Sequence, residues 1–588
     1  MKDFLKYTLA TIVGIIACSI ILSVIGILSF VGIAASAGTA ATTTISNSSL
    51  FKLELKGTVN ERVVENPFAT LMGEEQAALG LNDILASIQK AADNDLIKGI
   101  YLEAGNISAQ PASIEEIRNA LVRFKQTGKF IVAYGDTYSE ADYYICSVAD
   151  KVILNPKGIV DWHGLASQTI YFKDLLDQLG VEMEVFKVGT YKSAVEPYTS
   201  TEMSDENREQ ITAYITSIWN NMVDNVSLSR GISAEQLNYY ADQYMAFCPT
   251  EECLTAGLVD TLLYKDATRD YLKQLMNTDE DDRLEVVTLN EVKNIQKNVP
   301  LDKSGNIIAV YYAYGEIDST PSTDEGINSK KVIRDLRKLR EDEAVKAVVL
   351  RVNSPGGSAF GSEQIWREVL LLKAEKPVIV SMGDYAASGG YYISCAADCI
   401  VADPTTLTGS IGIFGMFPML ENLLTDKLDL HFATVKTNRY ADMGDMTRPF
   451  NDAERAALQK YINNGYKLFV QRCADGRGMS VEAIEKIAEG RVWTGATAKE
   501  LGLVDELGGL DKAIEIAAQK SGIEAYSIIH HPSQESFFDS LMEPIKEDYI
   551  QGQLAETMGE YYEYVKFIQN VQNMDRIQAR MPFDLRIR

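Results

Sequence analysis

At 588 residues the chain is too long for one hydrophobic core, so two or more domains are expected. Apolar residues make up 46% and charged residues 23%, the balance of a folded globular protein, and nothing in the composition points to disorder. A net charge of −26 with no basic stripe argues against nucleic acid as a partner. Seven cysteines, an odd number without the close pairing of zinc or redox motifs, argue against a fold that depends on disulfides.

In chain order, Lys2 and Lys6 precede a stretch from Tyr7 to Phe51 without a charged side chain. Its apolar part, about Leu9 to Ala37, exceeds the roughly 20 residues needed to cross a bilayer and the about 7–15 of a cleavable signal. An uncleaved membrane anchor over 1–40 is therefore expected. Ala35-Ser36-Ala37 before Gly38 leaves cleavage as the alternative. With the lysines inside, the rest of the chain lies outside the cytoplasm. Beyond the anchor, short β-branched runs such as Ala347–Val352 and Pro377–Met382 flank a helical pattern around Ser362 to Leu372, which predicts βαβ units and a mostly parallel sheet. The tail from Pro532 to Arg588 reads as mostly helical, with apolar residues at Tyr561, Tyr564, Phe567 and Ile568, packing on a neighbour.

A shift of 248 residues aligns Gly135–Asp150 with Gly383–Asp398 at seven identities in sixteen positions without a gap. The same shift pairs Lys98–Leu102 with Lys346–Leu350 and Asn155-Pro156 with Asp403-Pro404. This is the signature of an internal duplication. The copies run roughly 50–290 and 305–530, joined by the polar stretch Asp279 to Asn306. The expected organisation is anchor 1–40, first domain 41–300, second domain 301–530 and tail 531–588. The fold class is α/β, two tandem domains.

The copies differ where chemistry would sit. The second has Asn353-Ser354-Pro355-Gly356-Gly357-Ser358 after one strand and Ala386-Ala387-Ser388-Gly389-Gly390 at the end of the next; the first has Gly105–Gln110 and Tyr138–Asp142 there. Ser388 at a sharp strand-to-helix turn has the logic of a nucleophile elbow. The Gly389 amide, with Gly356 or Gly357, could donate to a developing oxyanion. Each piece alone is also readable as a tight turn. Of the four histidines, His163, His431, His530 and His531, none has an obvious orienting carboxylate, and only His431 is a candidate base. A buried lysine can serve instead. Lys192 lies among small and apolar residues in Gly189–Pro197, although by itself it also reads as an ordinary surface lysine. Its counterpart in the second copy, about Arg439, could not act as a base.

Three segments, Ala387-Ser388-Gly389-Gly390-Tyr391, Thr408-Gly409-Ser410-Ile411-Gly412-Ile413 and Gly189-Thr190-Tyr191-Lys192-Ser193-Ala194-Val195-Glu196-Pro197, resemble the long duplicated form of the signal peptide peptidase A family of S49 serine peptidases. The resemblance implies a ClpP/crotonase-like fold, Ser388 as nucleophile, Lys192 of the other copy as general base, and Ser410 as the hydroxyl that orients the lysine. It places the oxyanion region at Gly356-Gly357 and puts Trp162 at the position of Ser410 in the first copy. It further implies a serine endopeptidase that degrades signal peptides and related apolar peptides through an acyl-enzyme, without metal or cofactor. The expected setting is a homotetramer in the bacterial inner membrane, its catalytic part on the periplasmic side. A crotonase-type acyl-transfer enzyme and a catalytically inactive membrane scaffold are the alternatives.

Overall fold

The structure is a computed structural model and describes residues 45, 47–63, 78–279, 281–295, 304–318, 326–533 and 577–581. The expected anchor and the apolar tail positions Tyr561, Tyr564, Phe567 and Ile568 lie outside the described residues. Among those described, no helix is long and apolar enough to cross a membrane.

The fold is α/β. Continuous apolar runs such as Val348–Leu350 and Val378–Val380 are buried on both faces, the pattern of strands covered by helices on each side. In the first half, a parallel sheet runs in the order Ala78–Gly80, Ser49–Asn60, Ile97–Ser108, Phe130–Tyr138, Lys151–Val160, Thr261–Leu262. The short strand Val286–Val287 pairs with Leu50 and Phe51. That part of the connecting stretch thus belongs to the first sheet. In the second half the order is Val492–Thr494, Leu407–Gly409, Val378–Ala387, Val345–Ser354, Ile307–Tyr314, Ser527–His531. Its pairings along this order are parallel except that of Leu407–Gly409 with Val492–Thr494.

The halves repeat each other in their helices. Pro111–Lys125 and Ala359–Lys373 are each 15 residues long and follow equivalent strands. Asp205–Arg230 and Asp452–Arg477 are each 26 residues, started by Ser204 and by Asn451, whose side chains accept backbone N–H groups, and closed by the left-handed Gly231 and Gly478.

A third, smaller sheet splices the halves together. Its order is Gly356–Ser358, Ile577–Arg580, Ile413–Met419, Glu182–Val188, all antiparallel. One strand comes from the first half, two from the second and one from the tail. The expectation of a mostly helical tail is corrected here for residues 577–580. Buried Gln578 and Ala579 between half-buried ends, and free backbone edges on both neighbours, suit a strand inserted between two others. The cores also merge: Ala387, Leu407, Val492 and Met581 pack in one cluster with first-half residues such as Tyr138 and Ile218.

Candidate active site

The strand Val378–Ala387 ends and the helix Gly389–Ser394 begins with a single residue between them, Ser388. Its φ of 55° and ψ of −111° are strained for a residue with a side chain. Two backbone hydrogen bonds hold it there. The Ser388 N–H donates to Gly409 O at 2.8 Å, and Tyr392 N–H donates to Ser388 O at 2.8 Å. The two following glycines are required by close packing. A Cβ at Gly390 would stand 2.6 Å from Ser354 O, and one at Gly389 2.7 Å from Ser362 Oγ.

The lysine arrives from the other half along the spliced sheet. Glu182–Val188 pairs with Ile413–Met419, and Gly189, at φ 107°, then turns the chain against Glu489. Gly490 packs so closely on Lys192 that a Cβ there would lie 2.7 Å from the lysine Cβ. The result is a fully buried lysine whose Nζ lies 2.8 Å from Ser388 Oγ, 3.1 Å from Ser410 Oγ and 3.2 Å from Ser410 O. No carboxylate is among its hydrogen-bond partners in the described residues. Burial alone pushes its pKa well below the usual lysine range.

Ser410 is placed by its N–H donating to Arg491 O at 2.7 Å, and its own hydroxyl donates to Gly490 O at 3.1 Å. Its oxygen is thereby left to accept from Lys192. A neutral amine with two N–H groups directed at Ser410 O and Oγ has its lone pair free for the Ser388 hydroxyl. The Gly356-Gly357 turn, at φ 107° and 149°, lies beside this centre. A Cβ added at Gly356 would stand 2.8 Å from the Gly389 amide nitrogen.

The comparisons with known proteins agree in one direction. The profile of Peptidase family S49 matches residues 123–279 and 371–524, one region in each half. Protease 4 of Haemophilus influenzae is 38% identical over 449 residues, covering 74% of this chain and 72% of its own. The chloroplastic serine protease SPPA of Arabidopsis thaliana is 32% identical over 82% of this chain and 70% of its own. The chain belongs to peptidase family S49. It is a serine-type peptidase. Among solved structures, ClpP1 of Listeria monocytogenes is similar over 35% of this chain and 94% of its own, at 18% identity and a TM-score of 0.24.

In this S49 peptidase, six residues singled out from sequence gather in one place: Ser388, Lys192, Ser410, Gly389, Gly356 and Gly357. The corresponding place in the first half is closed by carboxylates. Glu140, at the position of Ser388, accepts from His163 N at 3.1 Å and Gly164 N at 2.9 Å. Asp142 accepts from Asn106 N at 2.9 Å and Ile107 N at 3.3 Å. Trp162, at the position of Ser410, is buried and donates to Leu237 O. The histidines lie apart from Ser388. His431 is exposed, and His530 contacts Tyr312. His163 does have a carboxylate neighbour, Asp161 at 2.9 Å, contrary to the sequence reading, because both lie on the loop that follows the strand Lys151–Val160.

Sequence reasoning missed Gln210. Fully buried, it donates to Tyr191 O and Ser193 Oγ and accepts from Val492 N, so it pins the lysine loop to the second half. A signal was present: Gln210 sits beside Ile211 and four residues before Tyr214, on the apolar face of its helix. Gly490 carried no local signal at all.

Proposed function

We propose that this S49 peptidase is a membrane-anchored endopeptidase in which Ser388 is the nucleophile and Lys192 the general base. The observation that carries the reading is the 2.8 Å approach of a fully buried Lys192 Nζ to Ser388 Oγ, with no carboxylate among its hydrogen-bond partners in the described residues. Neutral Lys192 takes the Ser388 proton as the oxygen attacks a peptide carbonyl. The Gly389 amide and the Gly356-Gly357 turn stabilise the tetrahedral oxyanion. Lys192 then gives the proton to the leaving amine, and water, activated by the same lysine, releases the acyl group and regenerates Ser388. Ser410 keeps the lysine lone pair on line. Among the described residues no carboxylate hydrogen-bonds to the pair to serve acyl-CoA chemistry, and an inactive scaffold has no use for a desolvated lysine on a strained serine.

The substrates we propose are signal peptides left in the membrane and related apolar peptides, cut by a homotetramer at the outer face of the bacterial inner membrane. The uncharged stretch after Lys2 and Lys6 supports the anchor, and the family resemblance supports the substrate class and assembly. The test uses an apolar fluorogenic peptide ester. Ser388→Ala and Lys192→Ala should each lower kcat/KM at least about a thousandfold, and a fluorophosphonate should label Ser388. Wild-type turnover by the serine variant overturns the reading. Wild-type turnover by the lysine variant overturns the base. Recovery of a chain lacking 1–40 in the same membrane fraction as the full chain overturns the anchor.

A further inference from the structure

The lysine is buried, yet solvent stands one residue away from it. Tyr191 is half-buried, and Lys192, next in the chain, is fully so. What closes the boundary is a segment of the second half, Glu489-Gly490-Arg491. Its three successive carbonyls all accept from the site: Glu489 O from Tyr191 N–H at 3.0 Å, Gly490 O from the Ser410 hydroxyl at 3.1 Å, and Arg491 O from Ser410 N–H at 2.7 Å. One short stretch thus grips both the lysine loop and the hydroxyl beside the lysine. It takes this shape through two consecutive left-handed residues, Glu489 at φ 52° and Gly490 at φ 81°.

The side chain of Arg491 turns this grip into a clamp. Its Nη1 donates to Tyr191 Oη at 3.1 Å, and its Nη2 lies 2.8 Å from Glu209 Oε1. Tyr191 Oη donates in turn to Glu209 Oε2 at 3.1 Å, which closes a ring of three polar contacts. The guanidinium also lies against two aromatic rings, 4.6 Å from the centroid of Tyr191 and 4.5 Å from that of Trp493. A planar, always-charged fork suits both tasks at once. Tyr191 and Glu209 belong to the first half, Arg491 and Trp493 to the second, so the clamp crosses the same seam as Lys192 and Ser388. The charged groups around the lysine loop are Arg491, Glu209 and Glu206, all facing Tyr191, whereas burial alone acts on the Lys192 amine. The first half supplies a contrast. Aligning Gly257–Asp260 with Gly502–Asp505, a shift of 245 residues, sets Tyr244-Met245-Ala246 against Glu489-Gly490-Arg491. Tyr244 keeps the left-handed turn at φ 52°, but the arginine is missing from the copy that has no nucleophile. The turn itself does not require it.

We infer that Arg491 is a positioning residue for the proposed catalytic pair: by fastening Tyr191 and Glu209 to the second half, it seals Lys192 from water and keeps the amine in line with Ser388 and Ser410. It touches neither the substrate nor the reacting atoms. A loosened clamp admits water to Lys192, and the pKa of the amine then climbs back toward the ordinary lysine range. Less of the base is neutral at a given pH, and turnover falls most on the acid side.

This inference rests on the Ser388–Lys192 reading, and the experiment separates the two. The pH profile of kcat/KM for the peptide ester is measured on the full chain and on Arg491→Met, Arg491→Lys, Glu209→Gln and Tyr191→Phe. Arg491→Met should lower kcat/KM at neutral pH at least about tenfold and move the acid limb up by about one pH unit, with KM within a few-fold. Arg491→Lys, which keeps the charge but not the fork, should recover only part of the loss. Glu209→Gln separates charge from position. Loss of a negative charge would by itself favour the neutral amine and move the limb down, whereas a loosened clamp moves it up. Tyr191→Phe removes one hydroxyl, should move the limb up by less, and carries the test if Arg491→Met does not fold. An acid limb unmoved in Arg491→Met and Tyr191→Phe overturns the inference even where kcat falls, since a merely structural role leaves the limb in place. A downward move in Glu209→Gln overturns it as well. If Lys192→Ala is inactive while these limbs stay put, the inference alone fails; wild-type turnover by Lys192→Ala overturns both.

Discussion

A buried lysine amine is held toward the form that accepts protons. Among the described residues Lys192 hydrogen-bonds only to hydroxyl and carbonyl oxygens, and burial drives its pKa down. Two consequences follow for pH. Peptide-ester turnover should rise with pH through the lowered Lys192 pKa and stay high above it, since the protonated amine cannot take the Ser388 proton. Between that lowered value and the ordinary lysine value of about 10.4, the unfolded chain binds a proton that the folded one does not. Stability therefore climbs as pH rises through that window. Lys192→Met removes the penalty while keeping the length of the side chain. It should abolish turnover yet raise Tm by roughly 1–3 °C at neutral pH, measured by calorimetry. An unchanged or lower Tm would mean that the lysine is charged when folded. Ser388 and its glycines were readable in the sequence because the first copy, with Glu140 and Asp142 in their place, supplied a contrast. Lys192 was readable only through family resemblance: burial is what lowers its pKa, and the burying residues Gly412 and Gly490 lie more than 200 positions away.

At the scale of elements, the parallel strands and their helices announced themselves by β-branched runs and by repetition at a shift of 248. The spliced sheet did not. Glu182–Val188, with charged residues at 182, 184 and 187, reads like an ordinary edge strand, and nothing within Ile577–Arg580 says that it pairs with residues from 356 onward. Pairings over such separations follow from tertiary geometry, which local propensity does not encode. The glycine turn offers a direct check on how this sheet serves chemistry. Gly356 has φ 107°, and an added Cβ would come within 2.8 Å of the Gly389 amide nitrogen. Gly356→Ala should therefore lower kcat at least about a hundredfold while leaving KM within a few-fold. A variant with normal kcat would remove this turn from the oxyanion site.

Across the whole molecule, the halves are locked by charge as well as by apolar packing. Arg351, fully buried in the second half, reaches Glu61 at 2.9 Å and also pairs with Glu116, both from the first half. Nearby, Asp384 accepts from Ser113 N and Ser113 Oγ, each at 2.8 Å, at the start of the helix Pro111–Lys125. Burial pushes the Glu116 carboxyl up and the adjacent guanidinium pulls it back. Arg351→Ala strands two buried carboxyls, and should cost about 3–5 kcal/mol. The loss should be smaller in mild acid, where Glu116 can hold a proton, and urea unfolding at two pH values would show it. Equal losses at both values would mean that the cluster stays ionised.

The proposed nucleophile and base stand 196 residues apart in the chain and on different halves. At synthesis rates of about 5–20 residues per second, roughly 10–40 s pass between the emergence of Lys192 and that of Ser388. Throughout that interval the nascent protein carries a proteolytic centre with one component missing. On the proposed mechanism, activity is thus timed by the order of translation, and the protease cannot attack its neighbours, or itself, before Ser388 has emerged.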